Sequence, residues 1–188
     1  MLRWRSKRRL SGFVSVGHGE CSLSAVCGYA SRVVWEGNLG EGTAGYARYS
    51  RDYRVVIDGK ADLLGTADPA YRGARDRHNP EELFVTAVAA CHMLFYLSLC
   101  ARAGVEVVAY EDDASGTMSG DGRGRGGGRG RFVEITLRPK VTIARAEDAE
   151  AAGGMHERAH ELCFIANSCA MPIRHVASVR VRAAAEEK

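Results

Sequence analysis

The stretch NPEELFVTAVAACHMLFYLSLCARAG, residues 79–104, constrains the fold more than any other part of the chain. Asn79 suits a helix N-cap, Pro80 the first helical position, and Glu82 stands three residues after the cap, where a capping box places it. Glu81 and Glu82 meet the positive end of the helix dipole, and Gly104 supplies the stop. Between those signals the side chains are apolar on nearly every face. A helix of that kind, in a chain otherwise polar, is predicted to be the buried centre of a core. Thr86, His92 and Ser98 interrupt it before the roughly 18 apolar residues of a membrane span accumulate. No membrane partner is therefore expected.

The flanking segments predict strands and one further helix. VVWEGNLGEGTAGYARYSRDYRVVIDGKADLLG alternates through Tyr49, Arg51, Tyr53 and Val55, with Asp58-Gly59 as a turn. TADPAYRGARDRH is a loop leading into the long helix. After it, VEVVAYEDDASGTM and RFVEITLRPKVTIA read as two strands joined by SGDGRGRGGGRGR. A second helix is predicted from about Ala146 to Asn167, and HVASVRVRA is a closing strand. The order predicts an α+β fold with helices packed on a largely antiparallel sheet. Residues 34–188 form that domain; residues 1–33 are read as a basic, disordered extension.

Composition narrows the partners. The chain has 188 residues, 46% hydrophobic and 26% charged, which suffices for one globular core. A net charge of +3 argues neither for nor against nucleic acid, although five basic residues crowd the first nine positions. GRGRGGGRGR resembles a segment that binds single strands through charge, but it holds no aromatic residue and falls where a hairpin needs a loop. It is read as the loop, and nucleic acid is not an expected partner. No apolar run of signal-peptide type follows the basic start, so the six cysteines are expected to be reduced thiols in a cytoplasm.

Cys91 is the pivotal residue. A free cysteine titrates near 8.5, so only about 3% is thiolate at pH 7, and a shift to about 6 makes roughly 90% reactive. His92 projects about 100° away around the helix, and mid-helix placement removes help from the dipole. Apolar neighbours alone raise a thiol's pKa. A nucleophilic Cys91 thus needs a cation delivered from elsewhere, and on the residues alone a buried, inert thiol is the more economical reading. His156, His160 and Cys163 put three candidate ligands on one helical face, which with Cys91 would suit zinc. No C-x-x-C pair or carboxylate motif supports that reading, so no metal or other cofactor is expected. His160 is instead a neighbour of Cys163 at i and i+3.

NPEELFVTAVAACHM, with AHELCFIANS some seventy residues later, resembles the OsmC/Ohr family of thiol-dependent hydroperoxide reductases. The likeness runs from about Trp35 to the C-terminus through WEGNLGEGT, DPAYRG and RFVEITLRPKV, and favours the OsmC-like branch because CFIANS replaces a CPYSNA-type sequence. The resemblance implies a peroxidatic cysteine at Cys91, a resolving cysteine at Cys163, a glutamate at Glu81 after the proline, and an arginine before NPE. Arg72 of YRG is the match, with Arg51 of YSRDY the alternative. It also implies hydroperoxides as substrates, with an apolar pocket expected to favour organic ones, and a lipoyl-type dithiol as reductant. Cys169 is a substitute resolver, Cys100 a packing residue, and Cys21 and Cys27 are read as idle.

Spacing adds a constraint to the resemblance. Glu81 and Cys91 are ten residues apart on one helix, hence about 15 Å along its axis. If both serve one site, Glu81 comes from a partner subunit, which predicts an intertwined homodimer with two shared sites. Phe84, Val88, Phe95 and Phe164 are the expected apolar pocket. A non-catalytic protein of the same fold that binds a small apolar ligand is the alternative.

Overall fold

The capping box of the long helix closes as the sequence predicts. Asn79 Oδ1 accepts from Glu82 N at 2.8 Å, and Glu82 Oε2 accepts from Asn79 N at 3.2 Å, starting α1 (Pro80–Arg102). Gly104 follows with φ 75°, the left-handed geometry that ends helices. The computed structural model describes residues 27–120 and 130–183. Most of the basic extension, Cys21, and all but the ends of the Gly/Arg linker lie outside the described residues.

The strands form three three-stranded sheets. β1 (Arg32–Trp35), β2 (Tyr53–Val56) and β3 (Leu63–Gly65) form an antiparallel meander, turned between β2 and β3 at Gly59, φ 76°. The first strand begins at Arg32, just ahead of the boundary expected at residue 34. Tyr49 and Arg51 precede β2 instead of continuing it. β4 (Val107–Asp112), β5 (Ser115–Gly120), β6 (Gly130–Leu137) and β7 (Pro139–Ile143) replace the two long strands expected after α1. The corner sits at Arg138, whose N donates to Asp112 Oδ1 at 2.7 Å and whose Nη1 donates to Ser115 Oγ at 2.7 Å. That corner sends each predicted strand into two sheets, of order β4-β7-β9 and β5-β6-β8.

The last elements correct one expectation and qualify another. α2 (Ala149–Leu162) and α3 (Phe164–Asn167) are separate helices, where one was expected. The break is Cys163, extended at φ −66° and ψ 109°, whose Sγ caps α3 by accepting from Ala166 N at 3.5 Å. Beyond it β8 (Ile173–His175) and β9 (Ser178–Val181) pair parallel to β6 and β7. A helical crossover returns the chain in the same direction, so these two sheets are mixed, while four of the six strand pairings are antiparallel as expected.

Burial within one chain covers less of α1 than its composition predicts. Only Val88, His92, Tyr96 and Cys100, a stripe at i, i+4 spacing, are buried, while Leu94 is 62% exposed. The stripe bridges two clusters, one around Tyr96, Val141, Ile143 and Ala159, the other around Val88, Ile135, Leu137 and Ile173. No residue of β1 to β3 joins either cluster. Burying an exposed Leu-sized side chain is worth about 1.5–3 kcal/mol, and such side chains stay exposed on both elements, Leu94 on α1 and Val33 and Leu64 on the meander.

Candidate active site

The two sulfurs singled out in the sequence meet. Cys91, half-buried on α1, is a close neighbour of the thiol of Cys163, which is fully buried at the α2–α3 break. Phe95 and Phe164 flank them edge to face, centroids 4.9 Å apart. Burial above all, with Cys91 alongside, pushes the Cys163 thiol up to about 11, against the opposing bond from Ala166 N. Cys163 is therefore protonated at neutral pH and sealed from solvent, whereas Cys91 is within reach of a small molecule.

The other cysteines separate from this pair. Cys169 Sγ donates to Ile165 O at 3.1 Å and packs on the Val88 cluster, and burial raises its pKa. Cys100 is a core residue, likewise raised by burial. Cys27 is disulfide-bonded, which corrects its reading as idle.

At the other end of α1 lies a cleft of about 330 Å³, lined by Trp35, Tyr49, Arg51, Tyr53, Tyr71 and Glu81 among others. Glu81 Oε2 is buried there without a hydrogen-bond partner. Arg51 donates from Nη1 to Tyr49 O and from Nη2 to Tyr46 O, each at 2.6 Å. Its guanidinium lies 4.3 Å from the Tyr46 ring centre and 4.1 Å from that of Tyr49, a cation–π arrangement that fixes its plane. Burial, and secondarily the Glu81 charge, raise the Tyr53 phenol.

One wall of the cleft is the loop Thr66 to Ala74. Asp68 caps it through Oδ1, accepting from Ala70 N at 2.7 Å, and its carbonyl accepts from Tyr71 N and Gly73 N. Arg72 holds φ 71°, the one non-glycine positive φ among the described residues. A Cβ at Gly73 would sit 1.5 Å from Ala67 O, so only glycine fits. Arg72 itself is exposed and does not line the cleft; Arg51 shares it with Glu81.

The sequence reading missed a histidine cluster on the α1–α2 seam. His92 Nε2 and His156 Nδ1 are 3.1 Å apart, with rings stacked at 5.5 Å and 5°. Tyr96 covers the other side of His156 at 4.0 Å; His175 of β8 lies 5.7 Å from His92, and His160 5.7 Å from His175. The signal was present as single histidines, two of them spaced for one helix face, but nothing in the pattern joins His92 to His156 across 64 residues. The zinc arrangement is not formed. Cys163 faces Cys91, and no three His, Cys, Asp or Glu side chains among the described residues could hold a metal ion. Of the four expected pocket residues, Val88 is core with Phe84 packed on its cluster and on Phe132 at 5.1 Å, and Phe95 pairs with Phe164.

Within one chain the thiol pair and the Glu81–Arg51 cleft stand apart, Glu81 being ten residues and about 15 Å of helix from Cys91. A family model described as OsmC-like protein matches residues 73–176. No curated protein matches the chain in sequence. Among solved structures, an OsmC-like protein of unknown function from Vibrio cholerae aligns with a TM-score of 0.72 at 28% identity, covering 81% of this chain and 100% of its own. An organic hydroperoxide resistance protein from Elizabethkingia anophelis, with thiocyanate bound, aligns at 0.57 and 18% identity over 85% of this chain and 100% of its own. A putative organic hydroperoxide resistance protein from Vibrio cholerae, with captopril in one of its active sites, gives 0.51 and 20% over 84% and 94%. The last two share the fold.

Proposed function

The chain belongs to the OsmC-like protein family, and on that premise we propose that it is a thiol-dependent peroxidase acting on organic hydroperoxides. The observation that carries this reading is the contact between Cys91 and Cys163 at a helix break. The Cys91 thiolate attacks the distal peroxide oxygen; an S–O bond forms, the O–O bond breaks, and the leaving alkoxide takes a proton to become an alcohol. Cys163 then gives up its proton and attacks the Cys91 sulfenic acid. The S–S bond forms, the S–O bond breaks, and water leaves. A lipoyl-type dithiol restores both thiols by exchange and is itself oxidised to a disulfide.

Arg51, held by the Tyr46 and Tyr49 carbonyls, serves as the activating cation, with Glu81 beside it in the cleft, and both come from the partner subunit of an intertwined homodimer. Arg51 takes precedence over Arg72 because it shares the Glu81 cleft and is clamped between two rings. The coreless β1–β3 meander and the exposed apolar side of α1 support exchange between two copies. A guanidinium beside Cys91 favours the thiolate and orients the peroxide. The setting proposed is the cytoplasm, in keeping with the free thiols of Cys91, Cys100, Cys163 and Cys169, although the Cys27 disulfide does not follow from it.

One equivalent of cumene hydroperoxide added to reduced protein is expected to consume two thiols per chain, in a disulfide that peptide mapping places at Cys91–Cys163. Cys91→Ser is expected to abolish that loss. An unchanged thiol count in the wild type, with the hydroperoxide merely bound, would instead favour a non-catalytic ligand-binding role for the aromatic cleft.

A further inference from the structure

The helices that carry the thiol pair are joined by one directional contact. Among the described residues, the His92–His156 hydrogen bond is the only bond between side chains of α1 and α2. His92 follows Cys91 directly, and His156 precedes Cys163 by seven residues, two turns or about 10.5 Å. The residues that α2 otherwise buries are Ala152 and Ala159, whose small side chains interlock weakly with a facing helix. A slip of one residue displaces α1 by about 1.5 Å. Apolar packing on alanines resists such a slip poorly, whereas a hydrogen bond is lost beyond about 3.2 Å.

We propose that the His92–His156 hydrogen bond is the register pin that keeps Cys91 opposite Cys163, making both histidines positioning residues for disulfide closure. The inference rests on the peroxidase reading above. The pin needs one imidazole as donor and the other as acceptor, so the accepting ring must be neutral. Burial first, and then the neighbouring histidines, hold both rings neutral, His92 at about 3 and His156 at about 4. The groups facing the pair are Tyr96 on α1, His160 on α2 and His175 on β8, with the Glu157 carboxylate 3.7 Å from His175 Nε2. His160 and His175 make their ring contacts at 5.7 Å, well beyond the 3.1 Å of the bonded nitrogens.

The deciding variant is the double substitution His92→Leu with His156→Leu. It removes both buried polar partners together and strands neither, so the fold is retained. In a single turnover with one equivalent of cumene hydroperoxide, sulfenic acid formation is followed by dimedone trapping and disulfide formation by quenched mapping. The double-Leu protein is expected to form sulfenic acid within twofold of the wild-type rate and to close the disulfide about tenfold more slowly. His156→Gln, which keeps a donor and an acceptor on the seam, is expected to recover closure to within about threefold. Closure at the wild-type rate in the double-Leu protein overturns the proposal, as does equal slowing of both steps in proportion to lost stability. A wild-type protein that forms no disulfide at all defeats the peroxidase reading itself, a separate outcome.

Discussion

The α1–α2 seam and the aromatic cleft at the start of α1 are built on opposite principles. On the seam, partners are found within the chain: thiol against thiol, imidazole against imidazole, rings stacked on both sides. In the cleft a carboxylate oxygen is buried without a partner, and an arginine spends its donors on backbone carbonyls while its face covers two tyrosines. The contrast teaches that the thiol pair is assembled within a single chain, whereas the charge that the proposed chemistry needs is only half placed. A buried, unpaired carboxylate costs free energy, and a second copy bringing a sulfur to this cleft would give it an electrostatic purpose.

The strongest way to break that comparison is complementation. Arg51→Ala is expected to slow peroxide consumption about a hundredfold, equivalent to about 2.7 kcal/mol, and to slow iodoacetamide alkylation of Cys91 at pH 7. Mixing Arg51→Ala with Cys91→Ser subunits is expected to restore turnover, because one of the two mixed sites then has both an intact arginine and an intact cysteine. Two dead variants that stay dead on mixing, under conditions of proven subunit exchange, would place both groups in one chain.

Acid sharpens the other side. The folded-state pKa values of His92 and His156, about 3 and about 4, lie below the ordinary 6.5, so the unfolded chain binds more protons as pH falls. Their contribution to stability is complete above about pH 6.5 and is lost as pH falls toward 3, at up to about 1.4 kcal/mol per pH unit for each ring. Thermal unfolding followed from pH 7.5 to 4 should show a steadily falling Tm that is flattened in the double-Leu protein. A Tm independent of pH over that range would mean that the rings are not held neutral by the fold. The smallest effect belongs to the cap. Asn79→Ala should cost about 1 kcal/mol in urea denaturation while leaving disulfide closure unchanged, because the capping box lies at the cleft end of α1.

How much of this was legible beforehand follows from the range of the signals. The caps of α1 are local, so Asn79, Pro80, Glu82 and Gly104 told their story within one helix. Cys91 and Cys163 were found through a resemblance, and their contact was not deducible from spacing. The break at Cys163 was hidden because LCFIAN continues an amphipathic pattern, and only the tertiary demand to aim a sulfur at α1 interrupts it. Parallel pairing of β8 and β9 was lost for the same reason, since alternation reports a strand but not its direction. The aromatic setting of Arg51 was visible in sequence as Tyr46 and Tyr49 before it and Tyr53 after it, but not that its guanidinium packs on the first two rings.

The loop from Thr66 to Ala74 has a consequence for whatever enters the cleft. With Asp68 gathering three amides, Gly73 pressed against a carbonyl and Arg72 fixed in a left-handed turn, this wall is set before any guest arrives. Binding then spends no free energy on ordering it, and selectivity falls to the shape of a ready-made mould. Enlarging the guests the mould accepts would require rebuilding the loop, and swapping a single side chain on its rim would not suffice.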